Sequence, residues 1–261
     1  MPYHRPRRRF SQNFLTDRSY IERIVRSIAP RKDDHIVEIG PGRGALTESL
    51  LGAVAQMDAI EIDRDDAQLL KQRFSDTALA IHRADVLDFD FRSIGDGLRI
   101  VGNLPYHIST PILFAVDAIW DSVRDCHFML QKEVVDRMGA APATPEYGRL
   151  SVMLQYRWQV EPLFDVPPTV FRPQPKVWSS VVRMLPARRV SLKDSGLFRR
   201  VVEAAFSKRR KTLRNSLREL VLIEDFVVCD IDPVRRAETL SVADFASLAN
   251  QVWLRLNASS E

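Results

Sequence analysis

Short apolar runs and helical periodicities take turns through the first half of this chain. Residues 35–39 (His-Ile-Val-Glu-Ile) predict a buried strand, and 45–51 predict a helix. The alternation continues with a strand over 57–62, a helix over 65–74, and further strands over 79–82 and 98–102. A helix is expected over 111–120 and a strand over 125–130. Ahead of this series, 19–28 has the spacing of an amphipathic helix. Strands alternating with helices over short connections predict an α/β fold: a Rossmann-like, mostly parallel sheet with helices on both faces.

After Pro145 the pattern changes. A helix is expected over 149–158, then two strands, 159–166 and 179–185, separated by a proline-rich loop and adding to the same sheet. Beyond Pro186 the periodicity is helical over 197–206, 212–220 and 242–256, with no convincing strand. The expected division is a catalytic α/β domain over 1–186 and a small all-helical domain over 187–261.

Composition adds little until its distribution is considered. Net charge is +4 and 45% of residues are hydrophobic, an ordinary globular balance. The cations, however, gather at two places. Arg5, Arg7, Arg8 and Arg9 stand near the start; Lys208, Arg209, Arg210, Lys211, Arg214 and Arg218 stand late in the chain. Leu213 and Leu217 within the second cluster are spaced for a core, which leaves the charges for another face. A solvated helix face is the bland reading; a polyanion bound along its phosphates is the other, and six cations without an acid favour it. No apolar run is long enough to cross a bilayer. No apolar stretch of a signal peptide follows the basic N-terminus. Cys126 and Cys229 fit reduced thiols. A cytoplasmic, monomeric protein is expected, without a membrane partner.

Chemistry concentrates at the strand ends. Glu38-Ile39-Gly40-Pro41-Gly42-Arg43-Gly44 closes one strand and opens a helix, where glycine lets backbone approach a nucleoside closely. Alone it is weak evidence, since such loops also serve NAD, FAD and plain structural turns. The next strand ends at Glu61, whose carboxylate can accept from two ribose hydroxyls, and the third is followed by Asp85, placed to accept from an adenine amine. Glu38 suits a cationic ligand and would repel a pyrophosphate. Together these describe a site for S-adenosylmethionine.

Asn103-Leu104-Pro105-Tyr106 closes the fourth strand. The exocyclic amine of adenine is a poor nucleophile because its lone pair is delocalised into the ring. The Asn103 side-chain oxygen and the Leu104 carbonyl can each accept one N–H, Pro105 stiffens the loop, and Tyr106 offers a stacking ring. Holding both protons aims the lone pair at a methyl donor, so rate comes from positioning and electrostatics. A strand-terminating turn is the alternative reading. In the proline-rich loop 166–177, Phe171 is expected to be exposed and to sandwich a splayed base against Tyr106; otherwise it plugs a local apolar gap. None of the five histidines has metal-ligand spacing, His107 reads as a surface residue, and no metal is expected. The segment 9–15 looks like a capping stretch before the first helix.

Taken together these residues resemble the small-subunit (16S) ribosomal RNA adenine dimethyltransferase family, the KsgA type, over nearly the whole chain. Gln12-Asn13-Phe14-Leu15 looks like the family's N-terminal cofactor motif, with Ser11 where glycine is common. The resemblance implies that Asn13 and Leu15 close over the cofactor and that Gly40, Glu61 and Asp85 bind it. Asn103 would contact both cofactor and target amine. Residues 171–177 resemble the family's substrate loop, and 205–217 and 236–241 its helical C-terminal domain. The implied substrate is two adjacent adenines in a hairpin loop near the 3′ end of 16S rRNA, presented on an immature small subunit, each receiving two methyl groups. The large-subunit (23S) dimethyltransferases share the catalytic motif but seldom the Arg-Arg-Lys-Thr-Leu-Arg run. An assembly factor with dispensable methylation, and a DNA adenine methyltransferase, are the other readings.

Overall fold

The computed structural model describes residues 13–187, 190–208 and 210–258. A short strand, β1 (Phe14–Leu15), leads into α1 (Arg18–Ile28), which Asp17 caps by accepting from the Ser19 amide at 2.9 Å. Then follow β2 (His35–Ile39), α2 (Ala45–Leu51), β3 (Gln56–Glu61), α3 (Arg64–Arg73) and β4 (Leu79–Arg83). The alternation resumes with β5 (Leu98–Asn103), α4 (Ser109–Asp117) and β6 (Val123–Gln131). Two helices, α5 (Lys132–Gly139) and α6 (Arg149–Gln155), precede β7 (Trp158–Val166), β8 (Phe171–Arg172) and β9 (Ser179–Pro186). The remaining elements are helical: α7 (Ser195–Phe206), α8 (Leu213–Ser216), α9 (Ile223–Val228) and α10 (Val242–Ala258).

Seven strands form one sheet in the order β4-β3-β2-β5-β6-β9-β7. Strands β2 to β6 run parallel, and β9 is antiparallel to β6. Both expected late strands therefore join the main sheet. Parallel strands are covered on both faces, which is why β2 and β5 read as near-continuous apolar runs; Ile36, Val37, Ile100 and Val101 are buried. The order reverses between β2 and β5, so the loops after these two strands leave in opposite directions and open a crevice at their carboxyl ends. Gly102 keeps the two strands close: a Cβ there would lie 2.6 Å from the Ile39 carbonyl oxygen. Beneath the sheet, buried Arg99 pairs with Asp34 and Asp125 and donates to the Ile28 carbonyl at 2.6 Å, fastening the end of α1.

Three regions depart from the periodicity. Residues 14–15 and 171–172 form a two-stranded antiparallel ribbon of their own, Leu15 opposite Phe171. In place of a helix over 212–220 there is only the single turn α8. The Leu213 and Arg214 amides donate instead to the carbonyls of Arg235 and Pro233, which fixes the chain there by tertiary bonds. Finally, the described residues up to Val135 with Val160–Pro186 make one compact unit, and Asp136–Gln159 makes another with those from Ala187 onward. Within the second unit the Gln155 amide donates to the carbonyls of Met138 and Ala140, and the Tyr147 hydroxyl to that of Leu240. Side-chain bonds of this kind leave no trace in hydrophobic spacing.

Candidate active site

A cavity of about 1140 Å³ opens at the carboxyl ends of the parallel strands, and residues far apart in sequence meet on its wall. Asn13, Leu15, Gly40, Glu61, Asp85, Asn103, Leu104, Pro105 and Tyr106 all line it. The loop after β2 turns through left-handed backbone at Gly40 (φ 65°) and Gly42 (φ 54°), a conformation that side chains with a Cβ resist. An added Cβ at Gly42 would also sit 3.0 Å from the Phe14 ring, so the loop and the N-terminal segment pack without a gap. At Gly40 an added Cβ would meet nothing within 4 Å, leaving the backbone open toward the cavity.

Glu61 ends β3 with both oxygens engaged: Oε2 accepts from the Gly42 amide at 3.1 Å and Oε1 from the Asp63 amide at 2.8 Å. Each oxygen keeps a further lone pair. The Glu61 carboxyl is buried, which pushes its pKa up to about 7 against the pull of those two amides. Glu38, on the adjacent strand, is raised to about 7 by burial as well, while the Thr47 hydroxyl donates to it at 2.6 Å. Two carboxyl groups of raised pKa thus stand on the wall of an open cavity that Arg18, Arg43, Arg73 and Arg172 also line. Asp85, after β4, caps its own loop by accepting from the Leu87 amide at 2.9 Å. Ile62 and Leu87, 47% and 41% exposed, supply apolar wall beside these two acids. Ile62 directly follows the strand-end acid Glu61 and Leu87 stands two residues after Asp85, the one sequence signal that points to them.

On the β5 side, Asn103 Nδ2 donates to the Asn13 carbonyl oxygen at 3.0 Å. This bond, across 90 residues, orients the amide so that its oxygen is the end left to accept from a ligand. Asn13 therefore reaches the site through its backbone, and the N-terminal segment is more than a capping stretch. Tyr106 is half-buried, its hydroxyl 2.6 Å from Ser179 Oγ. Burial raises its pKa, so the phenol stays neutral. Ser179, missed in the sequence, begins β9; a lone serine at a strand start carries no signal. His107 is exposed at the cavity rim.

Phe171 is a correction. It is 0% exposed, does not line the cavity, and packs in a core cluster with Leu15, Ile24, Ile28, Val166 and Val181. The β1–β8 ribbon turns its ring inward, so it plugs the core and cannot sandwich a base from where it stands.

In the second unit, Lys208, Arg210, Lys211 and Arg214 are exposed, whereas Leu213 and Leu217 are buried. Among the described residues these four cations have no acidic partner. Arg209 lies outside the described residues. Lys208, Arg210 and Lys211 stand on the connection from α7 into α8 and Arg214 in the single turn of α8, not on one continuous helix face. Among the described residues no group of three or more His, Cys, Asp and Glu side chains could hold a metal ion.

A seven-stranded sheet in this order, its antiparallel strand inserted next to the last and its cavity at the switch point, is the architecture of a Rossmann-like class I methyltransferase. A dimethyladenosine transferase from Plasmodium falciparum superimposes with a TM-score of 0.81, at 23% identity, over 95% of this chain and 98% of that one. The 23S rRNA methyltransferase ErmE follows with a TM-score of 0.69, at 24% identity, over 92% of this chain and 99% of that one. The sequence narrows the class. The ribosomal RNA adenine dimethylase family model matches residues 3–253, and the chain belongs to that family of S-adenosylmethionine-dependent methyltransferases. Proteins called ribosomal RNA small subunit methyltransferase A are similar almost end to end. The one from Nitrosospira multiformis is 51% identical over 95% of this chain and 96% of its own length. The one from Thiobacillus denitrificans is 54% identical over 94% and 97%.

Proposed function

We propose that this enzyme dimethylates N6 of two adjacent adenines in a hairpin loop near the 3′ end of 16S rRNA, on an immature small subunit. Asn103, its amide nitrogen tied to Asn13 and its oxygen free for an incoming N–H, is the observation that carries the reading. The curated relatives named for the small subunit, near 50% identical end to end, support this branch over the large-subunit one.

The residues present fit the methyl donor. Glu61 has lone pairs for ribose hydroxyls, Asp85 can accept from an adenine amine, and Gly40 leaves backbone room for the moiety between. Glu38 and Glu61 would become ionised beside a cation. Asn13 and Leu15 line the cavity, and Phe14 between them packs on the glycine loop. S-adenosylmethionine, when bound, supplies an electrophilic methyl group on a sulfonium.

The chain's own contribution is positioning. Asn103 Oδ1 and the Leu104 carbonyl accept the two N–H groups of the target amine and free its lone pair from the ring. Pro105 restricts the loop that presents that carbonyl, and the Leu104 amide, donating to Met129 at 3.1 Å, anchors it to β6. Tyr106, braced by Ser179, gives the target base a flat surface at the cavity mouth. The same acceptors hold the N–H groups until attack is complete; the nitrogen, then cationic, loses its proton to water, so no dedicated base is needed. The four exposed cations of the helical unit contact rRNA phosphates. A protein with this task works in the cytoplasm, as a monomer.

Methyl transfer from labelled S-adenosylmethionine to unmethylated small subunits, naked 16S rRNA, 23S rRNA and duplex DNA tests the reading. Dimethyladenosine on small subunits alone is expected. Label on 23S rRNA, or small-subunit binding without any transfer, would overturn it.

A further inference from the structure

With Phe171 buried, one aromatic ring still faces solvent just past the end of the proline-rich loop. Trp178 is 53% exposed and Val177 beside it 42%. Among the described residues the Trp178 ring has no aromatic or cationic partner. Its backbone is nevertheless fixed: the Trp178 carbonyl accepts from the Lys132 amide at 2.9 Å, and the next residue, Ser179, pairs with Gln131 across β6 and β9. A rigidly mounted, unpartnered indole is a costly thing to leave in water unless something covers it.

Its position relative to the target amine follows from the sheet register. Asn103 stands opposite Met129, and Met129 opposite Val181, so the three lie on one line across β5, β6 and β9. Trp178 is three residues from Val181, at the end of β9 that meets the carboxyl ends of β5 and β6. Two strand spacings and three residues of strand put its Cα about 14 Å from that of Asn103. That is a nucleotide or two from the target adenine. The immediate neighbour in sequence, Ser179, holds Tyr106 at the cavity mouth.

The surroundings favour a polyanion with exposed bases. Residues 166–178 contain no acid, and exposed Arg172 and Lys176 precede the indole in the same stretch, Arg172 with Nη1 donating to the Thr169 and Phe171 carbonyls. Cations spaced along an extended loop, and one exposed flat ring just past its end, are the two features of a single-strand binding surface. A single-stranded nucleic acid needs both, phosphate partners and a π-face.

Resting on the function proposed above, we infer that Trp178 is the stacking platform for a nucleotide flanking the target adenine, with Arg172 and Lys176 on the adjoining phosphates. The task the sequence gives to Phe171 thus falls to the aromatic residue that follows the same loop, on a neighbouring base.

The test compares W178A, W178L and W178F with the full-length wild type, on unmethylated small subunits and on a single-stranded RNA spanning the modified hairpin. Stacking predicts that W178A and W178L raise KM for small subunits between about 5-fold and 150-fold, with little change in kcat or in S-adenosylmethionine affinity. W178F should recover most of the loss, because it keeps a π-face. RNA binding should quench tryptophan fluorescence in the wild type and much less in W178F. An unchanged KM in W178A would overturn the inference, and so would full rescue by W178L, which would mean simple apolar contact. Should the wild type fail to methylate small subunits, the proposed function falls on that arm alone. The quench by single-stranded RNA then decides Trp178 separately: equal quench in wild type and W178F refutes it.

Discussion

Replacing Phe171 by alanine separates a core role from a substrate role. The ring is 0% exposed and packs among Leu15, Ile24, Ile28, Val166 and Val181, where the two-residue ribbon of β1 and β8 meets the first helix and the sheet. Removing it forfeits the transfer free energy of a buried phenyl group and leaves a cavity that the β-branched and leucine neighbours fill only in part. Together these cost about 3–5 kcal/mol. For a chain of this size each kcal/mol lowers Tm by about 2–4 °C, so F171A should melt roughly 6–20 °C below the wild type. F171L keeps most of the volume and should lose about 1–2 kcal/mol. Calorimetric melts paired with methyl-transfer kinetics at a temperature where every variant is folded give the answer. F171L should retain near-normal kcat and KM for the small subunit. A wild-type melting profile in F171A combined with lost transfer would refute the buried role and return Phe171 to the substrate.

Other expectations concern the site and its partner. N103A should lower kcat by about 10²–10³-fold while the fold and most of the cofactor affinity survive, measured by single-turnover transfer and calorimetric titration; normal dimethylation by this variant would remove the mechanism. Burial raises Glu38 and Glu61 to about 7. Without ligand, therefore, their contribution to stability is present below the ordinary carboxylate range and lost as pH climbs through 7. A sulfonium ligand reverses the balance by favouring the ionised forms. S-adenosylmethionine should thus bind more tightly from pH 6 to pH 8, more steeply than its neutral thioether product, and a flat profile for both would contradict the part given to these two acids. Changing Lys208, Arg210 and Lys211 to glutamine together should reduce the slope of log affinity against log salt by roughly 2–3 for small-subunit binding. An unchanged slope would leave those cations as a solvated face.

The sequence alone determines the order and type of most elements, because strand and helix periods are local and the parallel sheet demands nearly unbroken apolar strands such as 36–39 and 98–101. It also determines the chemistry at the strand ends. Glycines at 40 and 42 answer to left-handed backbone, and the acids at 38, 61 and 85 and Asn103 are legible as candidates from their places at or just after strand ends. The tertiary structure alone decides what depends on pairings between distant segments. Asn13 meets Asn103 only because the N-terminal ribbon folds over the switch point, and that same ribbon turns Phe171 inward. The insertion of β9 between β6 and β7 puts Ser179 behind Tyr106 and leaves Trp178 exposed. Residues 136–159 join the helical unit through side-chain bonds that hydrophobic spacing does not encode. A residue's type says what it can do; which partners reach it is set by contacts tens of residues away, and those the local pattern does not contain.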